Sequence, residues 1–224
     1  MTSVFNKIRK DLHCKRFSYS TKDYSFKEKL DELFGCNCDS LHNHLGTFLE
    51  FQRKSDQLTL AHKVFYSNFK EKIYPLYYKF QKNFISQIIR EPFYFQVIPT
   101  FRIGLPGNKF VGEFHKDSSY YHKDYEVNFN LGISGYHGKA SLKTEISPSS
   151  NKFIYLECPY GEIFSFDHID CLHGSEKNDT NFTMVSFDFR LALKSLYYKS
   201  NSTTINTKSD LNIGGYFSSE VVNP

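Results

Sequence analysis

The sequence predicts an all-β core with added helices, because the spacing of its apolar residues changes partway along the chain. Between about residues 25 and 90, apolar residues recur every three or four positions, which is the spacing of one face of an α-helix. After Pro92, apolar and polar residues alternate, and turns containing Gly or Pro separate the alternating segments. A series of short strands separated by turns is typical of a β-sandwich or a barrel.

The helical pattern contains two groups of apolar residues. The positions with helical spacing are Phe26, Leu30, Leu33, Phe34, Leu41, Leu45, Phe48 and Phe51, followed by Phe65, Phe69, Ile73, Phe80, Phe84 and Ile88. Pro75 interrupts the second group, and proline lacks the amide hydrogen that a helix interior requires. We therefore expect a helix to begin or bend at this residue.

The strands are predicted from short runs in which apolar and polar residues alternate. These runs are residues 93–99, 101–104, 126–133, 140–146, 153–156, 162–166 and 183–190. From about residue 199 the chain is rich in Ser, Thr and Asn, which predicts a tail or lid. We expect one domain over residues 1–224, with a mainly helical region at 1–92, the β core at 93–197 and the tail or lid at 198–224.

The composition favours a soluble cytoplasmic protein. The net charge of the 224 residues is +4, but Lys and Arg are scattered among Asp and Glu, so we expect no nucleic-acid partner. The start of the chain lacks the apolar run of a signal peptide, and no later segment approaches the ~18 apolar residues of a membrane helix. The five cysteines are odd in number and unevenly spaced, which predicts reduced thiols rather than a disulfide framework.

A possible metal site is formed by His115, Asp117 and His173. Two imidazoles and one carboxylate form the facial set that binds Fe(II) and leaves further positions open. Residues two apart on a strand point the same way, so His115 and Asp117 can bind one ion while Lys116 faces outward. The alternative is chance, since nine histidines in the chain make the pattern His-x-Asp unremarkable by itself.

Several segments around these residues match a known family. They are FQVIPTFR at 95–102, LPGN at 105–108, GEFHKD at 112–117, EVNF at 126–129, YGE at 160–162, FD at 166–167, HG at 173–174 and VSFDFR at 185–190. Together they resemble the Fe(II)- and 2-oxoglutarate-dependent oxygenases grouped with the streptomycin biosynthesis protein StrG, over about residues 94 to 193. The resemblance implies a cupin-like jelly roll, the double-stranded β-helix, with His115, Asp117 and His173 as iron ligands and with 2-oxoglutarate and O₂ as cosubstrates.

The far carboxylate of 2-oxoglutarate needs a buried cation, and the planar fork of Arg suits it. Strand alternation places Ser186, Asp188 and Arg190 on one face of the strand at 183–190. Many relatives hold this carboxylate with an Arg-x-Ser pair, but here Met184 stands two residues before Ser186. We therefore predict Arg190 as the binding residue, assisted by Ser186, with Arg102 as the second choice.

Each of these predictions has an alternative. Arg190 can instead form a salt bridge with an acid such as Asp188 or Glu162. Asn128 and Asn130 share a strand face and either bind the cosubstrate or are satisfied core polar groups. The remaining candidates are Tyr120, Tyr121 and His122 for the substrate entrance or for an exposed loop, Glu145 for a cationic substrate or for solvent, and His168 as a competing third metal ligand. We favour His173 over His168 because Gly174 follows it and lets the backbone pass close by.

The residues Cys36, Cys38, His42 and His44 are of zinc-binding types but have unfavourable spacing. Structural zinc sites usually separate paired cysteines by at least two residues, and the two histidines fall on different sides of a helix. We expect a helix N-terminus here, capped by Asp39 or Ser40.

The resemblance implies hydroxylation of a small polar metabolite or amino-acid-like substrate. The carboxylate of Asp117 argues against halogenation, in which a small residue typically replaces the acid. Two alternatives stay open: a cupin-like metal-binding protein without oxygenase turnover, which Met184 favours, and a hydroxylase of peptide or protein side chains.

Overall fold

The computed structural model describes residues 6–44, 57–204 and 209–224 of the chain. Within these residues, two antiparallel sheets form the core, and helices cover one face of the larger sheet. Three positions of the predicted helical pattern, Leu45, Phe48 and Phe51, lie outside the described residues.

The strands confirm the predicted β-rich core and add two short segments to it. The strands in the described part of the chain are β1 (Lys15–Ser18), β2 (Phe93–Phe95), β3 (Thr100–Gly104), β4 (Glu126–Ser134), β5 (Leu142–Glu145), β6 (Phe153–Leu156), β7 (Glu162–Phe166), β8 (His173–Ser175) and β9 (Met184–Leu193). β1 and β8 were not predicted, because segments of four and three residues carry too little alternation to be recognised.

β9 lies at the centre of the larger sheet. The strand order is β1-β7-β4-β9-β2, and β3 also pairs with β9. β4 pairs along one edge of β9, while β3 and β2 share the other edge. The smaller sheet has the order β6-β5-β8, and all pairings in both sheets are antiparallel.

The α-helices of the described residues precede β2 in the chain, and β1 interrupts them and joins the sheet beside β7. They are α1 (Lys7–Asp11), α2 (Phe26–Phe34), α3 (Leu60–Asn68), α4 (Tyr74–Phe80) and α5 (Ser86–Ile89), with π-helical segments at Phe69–Ile73 and Gln81–Ile85. Pro75 lies in the first turn of α4, directly after a π-helical segment, which confirms the expected helix start. No helix in the described ranges is both long and apolar enough to cross a membrane.

The larger sheet has one apolar face, which packs against the helices, and one face that carries buried polar residues. Val185, Phe187 and Phe189 of β9 belong to the same buried cluster as Val127 and Phe129 of β4. Aromatic residues of the helices complete this cluster, among them Phe26, Phe65, Phe69, Tyr77 and Phe80. The alternate residues of β9 are therefore turned away from the helices, as strand alternation predicts.

A second buried cluster lies between the two sheets. It joins Leu142 and Leu156 of the smaller sheet to Phe164, Phe166 and Met184 of the larger one. Because the two sheets face each other across this cluster, polar residues of β4 and β9 on the same side are enclosed between them.

The C-terminal segment is held against β2 in its described part. Phe93 pairs with Val222, and Gln96 pairs with Phe217, through isolated antiparallel bridges. Phe217 and Val222 are buried, with 0% and 1% of their surface exposed. The division of the chain into regions stays a prediction, but this segment contributes to the core.

Replacement of Phe187 tests the packing of the sheet against the helices. Its ring lies 5.6 Å from that of Phe26 and 5.4 Å from that of Phe65. We predict that Phe187→Ala lowers the free energy of unfolding by about 3 to 5 kcal/mol, through lost burial and the cavity left behind. Urea unfolding measures this change. Phe182→Ala serves as the control, because Phe182 is 52% exposed and its removal should change stability by less than about 0.5 kcal/mol.

Candidate metal centre

His115 and His173 are brought together by direct backbone pairing. The amide of each residue donates to the carbonyl oxygen of the other at 2.9 Å, forming an isolated antiparallel bridge. Side chains of residues directly opposite each other in an antiparallel pair lie on the same face. The two imidazoles therefore project side by side, with ring centroids 4.5 Å apart.

Asp117 reaches the same place from the start of a short 3-10 helix, Asp117–Tyr120. His115 and Asp117 do not share a continuous strand, as the argument from alternation assumed, since only His115 forms a bridge in this segment. Lys116 nevertheless has extended backbone angles, so His115 and Asp117 keep the alternation that points both inward. The amide of Asp117 donates to the carbonyl oxygen of His168 at 2.8 Å, which fixes the residue to the chain before β8.

Backbone carbonyls determine which imidazole nitrogen faces the centre. Nδ1 of His115 lies 2.8 Å from the carbonyl oxygen of Glu113, and Nδ1 of His173 lies 3.0 Å from that of Cys171. Nε2 of each imidazole therefore faces Asp117, while its Nδ1 donates to a carbonyl oxygen, which only accepts. Such a contact orients a metal-binding histidine and increases its basicity.

The three ligand atoms converge. Nε2 of His115 and Nε2 of His173 lie 3.2 and 3.3 Å from Oδ1 of Asp117, and the three residues form a group whose ligand atoms all lie within 4.8 Å of one another. Ligands about 2.1 Å from one ion and at right angles lie about 3 Å apart, so the spacing of Oδ1 from each Nε2 fits adjacent positions of an octahedral ion. The donor set therefore suits a divalent metal.

Arg190 binds the other oxygen of the Asp117 carboxylate. Its Nη2 and Nε donate to Oδ2 at 2.5 and 3.2 Å, and its Nη1 donates to the hydroxyl of Tyr216 at 3.2 Å. Burial by itself raises the pKa of Asp117, but Arg190 and the two histidines outweigh burial and hold that pKa well below its usual value. Asp117 is thus ionised, with Oδ2 occupied by Arg190 and Oδ1 directed at the histidines.

Gly174 is required where the backbones of the two ligand segments meet. A Cβ atom at this position would lie 2.9 Å from the ring of Phe114 and 3.2 Å from its Cα. Phe114 precedes His115, as Gly174 follows His173, so a larger residue would require Phe114 to shift beside the paired ligands. The predicted reason for this glycine, close passage of the backbone, is confirmed.

Arg102 and Asp188 lie deeper between the sheets, next to Arg190. Nη2 of Arg102 lies 3.2 Å from Oδ2 of Asp188, and Nη2 of Arg190 lies 3.6 Å from the same oxygen. Ser186 pairs with Arg102 across the β3–β9 ladder. Its Oγ is buried without a hydrogen-bond partner among the described residues.

The two asparagines of β4 differ in position. Asn128 lies opposite Arg190 in the ladder and, in the amide orientation that satisfies both its atoms, donates to Oδ1 of Asp188 at 2.8 Å. Asn130 lines a cavity of about 20 Å³ together with Arg102, Asp188 and His173. Asn130 thus lines the cavity beside the metal centre, whereas Asn128 contacts Asp188.

His122 belongs to a buried pair rather than to an exposed loop. Its Nδ1 lies 2.7 Å from Oε2 of Glu126, which is fully buried and also accepts from the amide of Lys123 at 2.8 Å. The His168 ring is fully buried too, and its Nε2 lies 3.8 Å from Glu126. His168 is not a member of the group formed by His115, Asp117 and His173.

A cavity of about 1030 Å³ opens from the metal centre to the surface. His115, Asp117 and Arg190 line its inner end, and Arg102 lines both this cavity and the small one. Further lining residues include Tyr66, Tyr120, His122, Lys109, Lys177 and Tyr216. Tyr120 and His122 thus line this cavity, whereas Tyr121 is 57% exposed.

Two other predicted features are corrected. Glu145 is 2% exposed and accepts from the amides of Ser149, Asn151 and Leu172, so it orders a turn and does not face solvent. The 3-10 helix Cys38–Asn43 is capped by Asn37, whose side chain accepts from the amide of Asp39, and not by Asp39 or Ser40.

The residues once considered for zinc do not form a metal-binding group. Among the described residues, the group of potential metal ligands is His115, Asp117 and His173. Nδ1 of His42 instead lies 2.8 Å from the hydroxyl of Thr183, and Cys38 is buried in the apolar core.

Tyr216 and Gln96 were not identified from the sequence. The hydroxyl of Tyr216 donates to Oε1 of Gln96 at 2.7 Å, and the same Oε1 accepts from the amide of Arg190 at 3.1 Å. Tyr216 belongs to the C-terminal segment, 26 residues after Arg190, and no local pattern links it to the site.

Comparison with known proteins identifies the family. The chain is 30% identical over 165 residues to the streptomycin biosynthesis protein StrG of Streptomyces griseus, which covers 74% of this chain and 78% of StrG. The chain belongs to the StrG family. The predicted resemblance is therefore confirmed, and no family model matches the chain.

Solved structures of more distant proteins are also similar to this StrG-family chain. AviO1 from Streptomyces viridochromogenes Tue57 is 10% identical, with a TM-score of 0.47 over 88% of this chain and 99% of AviO1. SnoK, a non-heme alpha ketoglutarate dependent carbocyclase from nogalamycin biosynthesis, is 7% identical, with a TM-score of 0.46 over 84% of each chain.

Loss of one imidazole tests the metal centre. We predict that His173→Ala weakens Fe(II) binding by more than about 100-fold. Loss of a residue that only orients a metal ligand already lowers metal affinity about 10- to 100-fold, and His173 is itself a ligand. Anaerobic titration against a competing chelator measures the affinity. His137→Ala is the matched control, since His137 is exposed, and equal affinities of the two variants would contradict the assignment.

The Glu126–His122 pair predicts a pH-dependent contribution to stability. Burial raises the pKa of Glu126, but His122 and His168 outweigh burial and lower it to about 2. A carboxylate with a lowered pKa stabilises the fold above its unfolded pKa of about 4.3, and this stabilisation is lost as the pH falls toward about 2. We predict that Glu126→Gln costs about 2 to 3 kcal/mol at neutral pH and less at about pH 3.

Urea unfolding at several pH values measures this difference. Glu32→Gln is the control, because the Glu32 side chain is 73% exposed and its removal should have little effect at any pH. A cost of Glu126→Gln that does not change between neutral and acidic pH would contradict the lowered pKa of Glu126.

Proposed function

We propose that the chain is an Fe(II)- and 2-oxoglutarate-dependent dioxygenase that hydroxylates a small polar metabolite or an amino-acid-like substrate. The observation that carries this proposal is the convergence of Nε2 of His115, Nε2 of His173 and Oδ1 of Asp117, within 4.8 Å, at the inner end of a large cavity. Two imidazoles and one carboxylate on one face, with open positions opposite, are the typical ligands of Fe(II) oxygenases.

The bound iron would supply the activation of O₂, coupled to the decarboxylation of 2-oxoglutarate. In the proposed reaction, 2-oxoglutarate, O₂ and the substrate R–H give succinate, CO₂ and R–OH. The residues of the chain hold the metal, orient the cosubstrate and exclude water. Asp117 remains ionised for this role because Arg190 balances its charge in a buried place.

Arg102 is the better placed residue for the far carboxylate of 2-oxoglutarate. Each nitrogen of the Arg190 side chain already donates a hydrogen bond, to Asp117 or to Tyr216. Arg102 lines both cavities, and the buried hydroxyl of Ser186 lies opposite it in the ladder. We therefore propose Arg102 and Ser186 for this carboxylate, and Arg190 becomes the second choice.

The substrate would occupy the large cavity. Its volume of about 1030 Å³ suits a small molecule, since ligand pockets usually measure about 300 to 1,000 Å³. Tyr120, His122 and Tyr216 provide aromatic and hydrogen-bonding surfaces beside the metal centre. The role of StrG in streptomycin biosynthesis supports a small polar metabolite, and a peptide side chain remains the alternative.

The arrangement of the sheets supports the double-stranded β-helix as the fold. Two antiparallel sheets enclose a common interior, and the three ligand residues lie at one end of it. One sheet supplies His173 through β8, while β9 of the other supplies Arg190 behind Asp117.

A metal-binding protein without oxygenase turnover is the second candidate. Met184 stands where many relatives have the arginine of an Arg-x-Ser pair, and Asp188 already lies 3.2 Å from Arg102. A protein of this kind would bind Fe(II) through the same three residues but would not bind 2-oxoglutarate.

Turnover of 2-oxoglutarate separates the two candidates. We predict that the chain with Fe(II) and O₂ releases succinate and CO₂ from 2-oxoglutarate, and that His115→Ala abolishes this release because iron is lost. Arg102→Gln should raise the KM for 2-oxoglutarate at least about tenfold, since it removes a charge-assisted pair of hydrogen bonds. Iron affinity should remain unchanged in that variant.

Lys152→Gln is the control for Arg102→Gln, because Lys152 is exposed. Absence of succinate across a broad panel of substrates, together with no absorption band on adding 2-oxoglutarate to the Fe(II) protein, would refute the oxygenase. It would favour the second candidate.

A further inference from the structure

The carboxylate of Asp188 lies at the site that we propose for the far carboxylate of 2-oxoglutarate. Its Oδ2 lies 3.2 Å from Nη2 of Arg102 and 3.6 Å from Nη2 of Arg190. The side chain is 9% exposed and lines the small cavity beside the metal centre. Two guanidinium groups therefore converge on one buried carboxylate oxygen.

Arg190 is held in place by residues other than Asp188. Arg190 is fixed by two hydrogen bonds to Asp117 and one to Tyr216, so its position does not depend on Asp188. Arg102 and Asp188 lie on neighbouring strands, and Ser186, the ladder partner of Arg102, lies on the same face of β9 as Asp188. The oxygen of Asp188 occupies the side of Arg102 that faces Arg190, where the attraction of both cations for an anion is greatest.

We propose that Asp188 is an internal competitor of the far carboxylate of dicarboxylate ligands, and that it weakens the binding of 2-oxoglutarate and of the product succinate. This inference rests on the proposed function. A ligand carboxylate that binds Arg102 must displace Asp188 or lie close to it, and like charges in a buried place repel strongly. Asp188 would thus speed the release of succinate before new 2-oxoglutarate binds. It would weaken the binding of ligands that carry a second carboxylate, but not of ligands that lack one.

The test compares two 2-oxo acids in anaerobic titrations of the Fe(II) protein. 2-Oxoglutarate carries the far carboxylate, whereas 2-oxobutyrate chelates iron through the same 2-oxo acid group but lacks a second carboxylate. The absorption band of the chelate reports binding without any turnover. We expect Asp188→Asn to bind 2-oxoglutarate at least about tenfold more tightly than the wild-type chain, with little change for 2-oxobutyrate.

Asp179→Asn is the matched control, because it removes an exposed carboxylate that lies 3.3 Å from Lys139 and outside both cavities. It should change neither affinity. Asp188→Ser is the second variant at the same position and should also bind 2-oxoglutarate more tightly.

Unchanged or weaker binding of 2-oxoglutarate by folded Asp188→Asn and Asp188→Ser would overturn the inference. Equal tightening for 2-oxobutyrate would do the same, since the effect would then not involve the second carboxylate. Failure of both variants to fold would show that Asp188 is a structural counter-ion and would also refute it. If the wild-type Fe(II) protein gives no band with either acid, the proposed function fails, and this inference fails with it.

Discussion

The ion pair between Asp117 and Arg190 is the interaction on which the metal centre depends. Both side chains are almost fully buried, and a buried charge is tolerated only when it is paired and hydrogen-bonded. Because Arg190 binds Oδ2, the carboxylate cannot rotate freely, and Oδ1 stays directed at Nε2 of His115 and His173. Backbone carbonyls fix the two imidazoles in the same way. All three ligands are therefore oriented before any metal binds.

Strand β9 links this centre to the rest of the fold. One face of the strand packs Val185, Phe187 and Phe189 into the apolar cluster beneath the helices. The other face carries Asp188 and Arg190 into the interior between the sheets. The aromatic core thus gives the polar face a rigid support, and the positions of the arginines relative to the ligands follow from the register of β9 with β3 and β4.

Much of the centre could be predicted from the sequence because it depends on local spacing. Alternation identified the shared face of Ser186, Asp188 and Arg190, and the spacing of His115 and Asp117 predicted their common direction. The pairing of His115 with His173 could be expected only from the family resemblance, since 58 residues separate them in the chain and β8 is too short to recognise.

Contacts between distant segments could not be predicted. Tyr216 reaches Arg190 from the C-terminal segment, and β1 joins the larger sheet from within the helical region. No sequence pattern predicts which residue Tyr216 contacts or which strand β1 pairs with, because tertiary packing and not local propensity decides such contacts. For the same reason the sequence favoured Arg190 for the cosubstrate, since the hydrogen bonds of Arg190 to Asp117 are visible only in the folded chain.

A crystal structure of the chain with Mn(II) and 2-oxoglutarate would show which carboxylate Arg190 binds. We expect the metal to bind His115, His173 and Oδ1 of Asp117, while Arg190 still donates to Oδ2 of Asp117. We expect the far carboxylate of 2-oxoglutarate to bind Arg102. A structure in which Arg190 leaves Asp117 and binds that carboxylate would refute the proposed role of the ion pair.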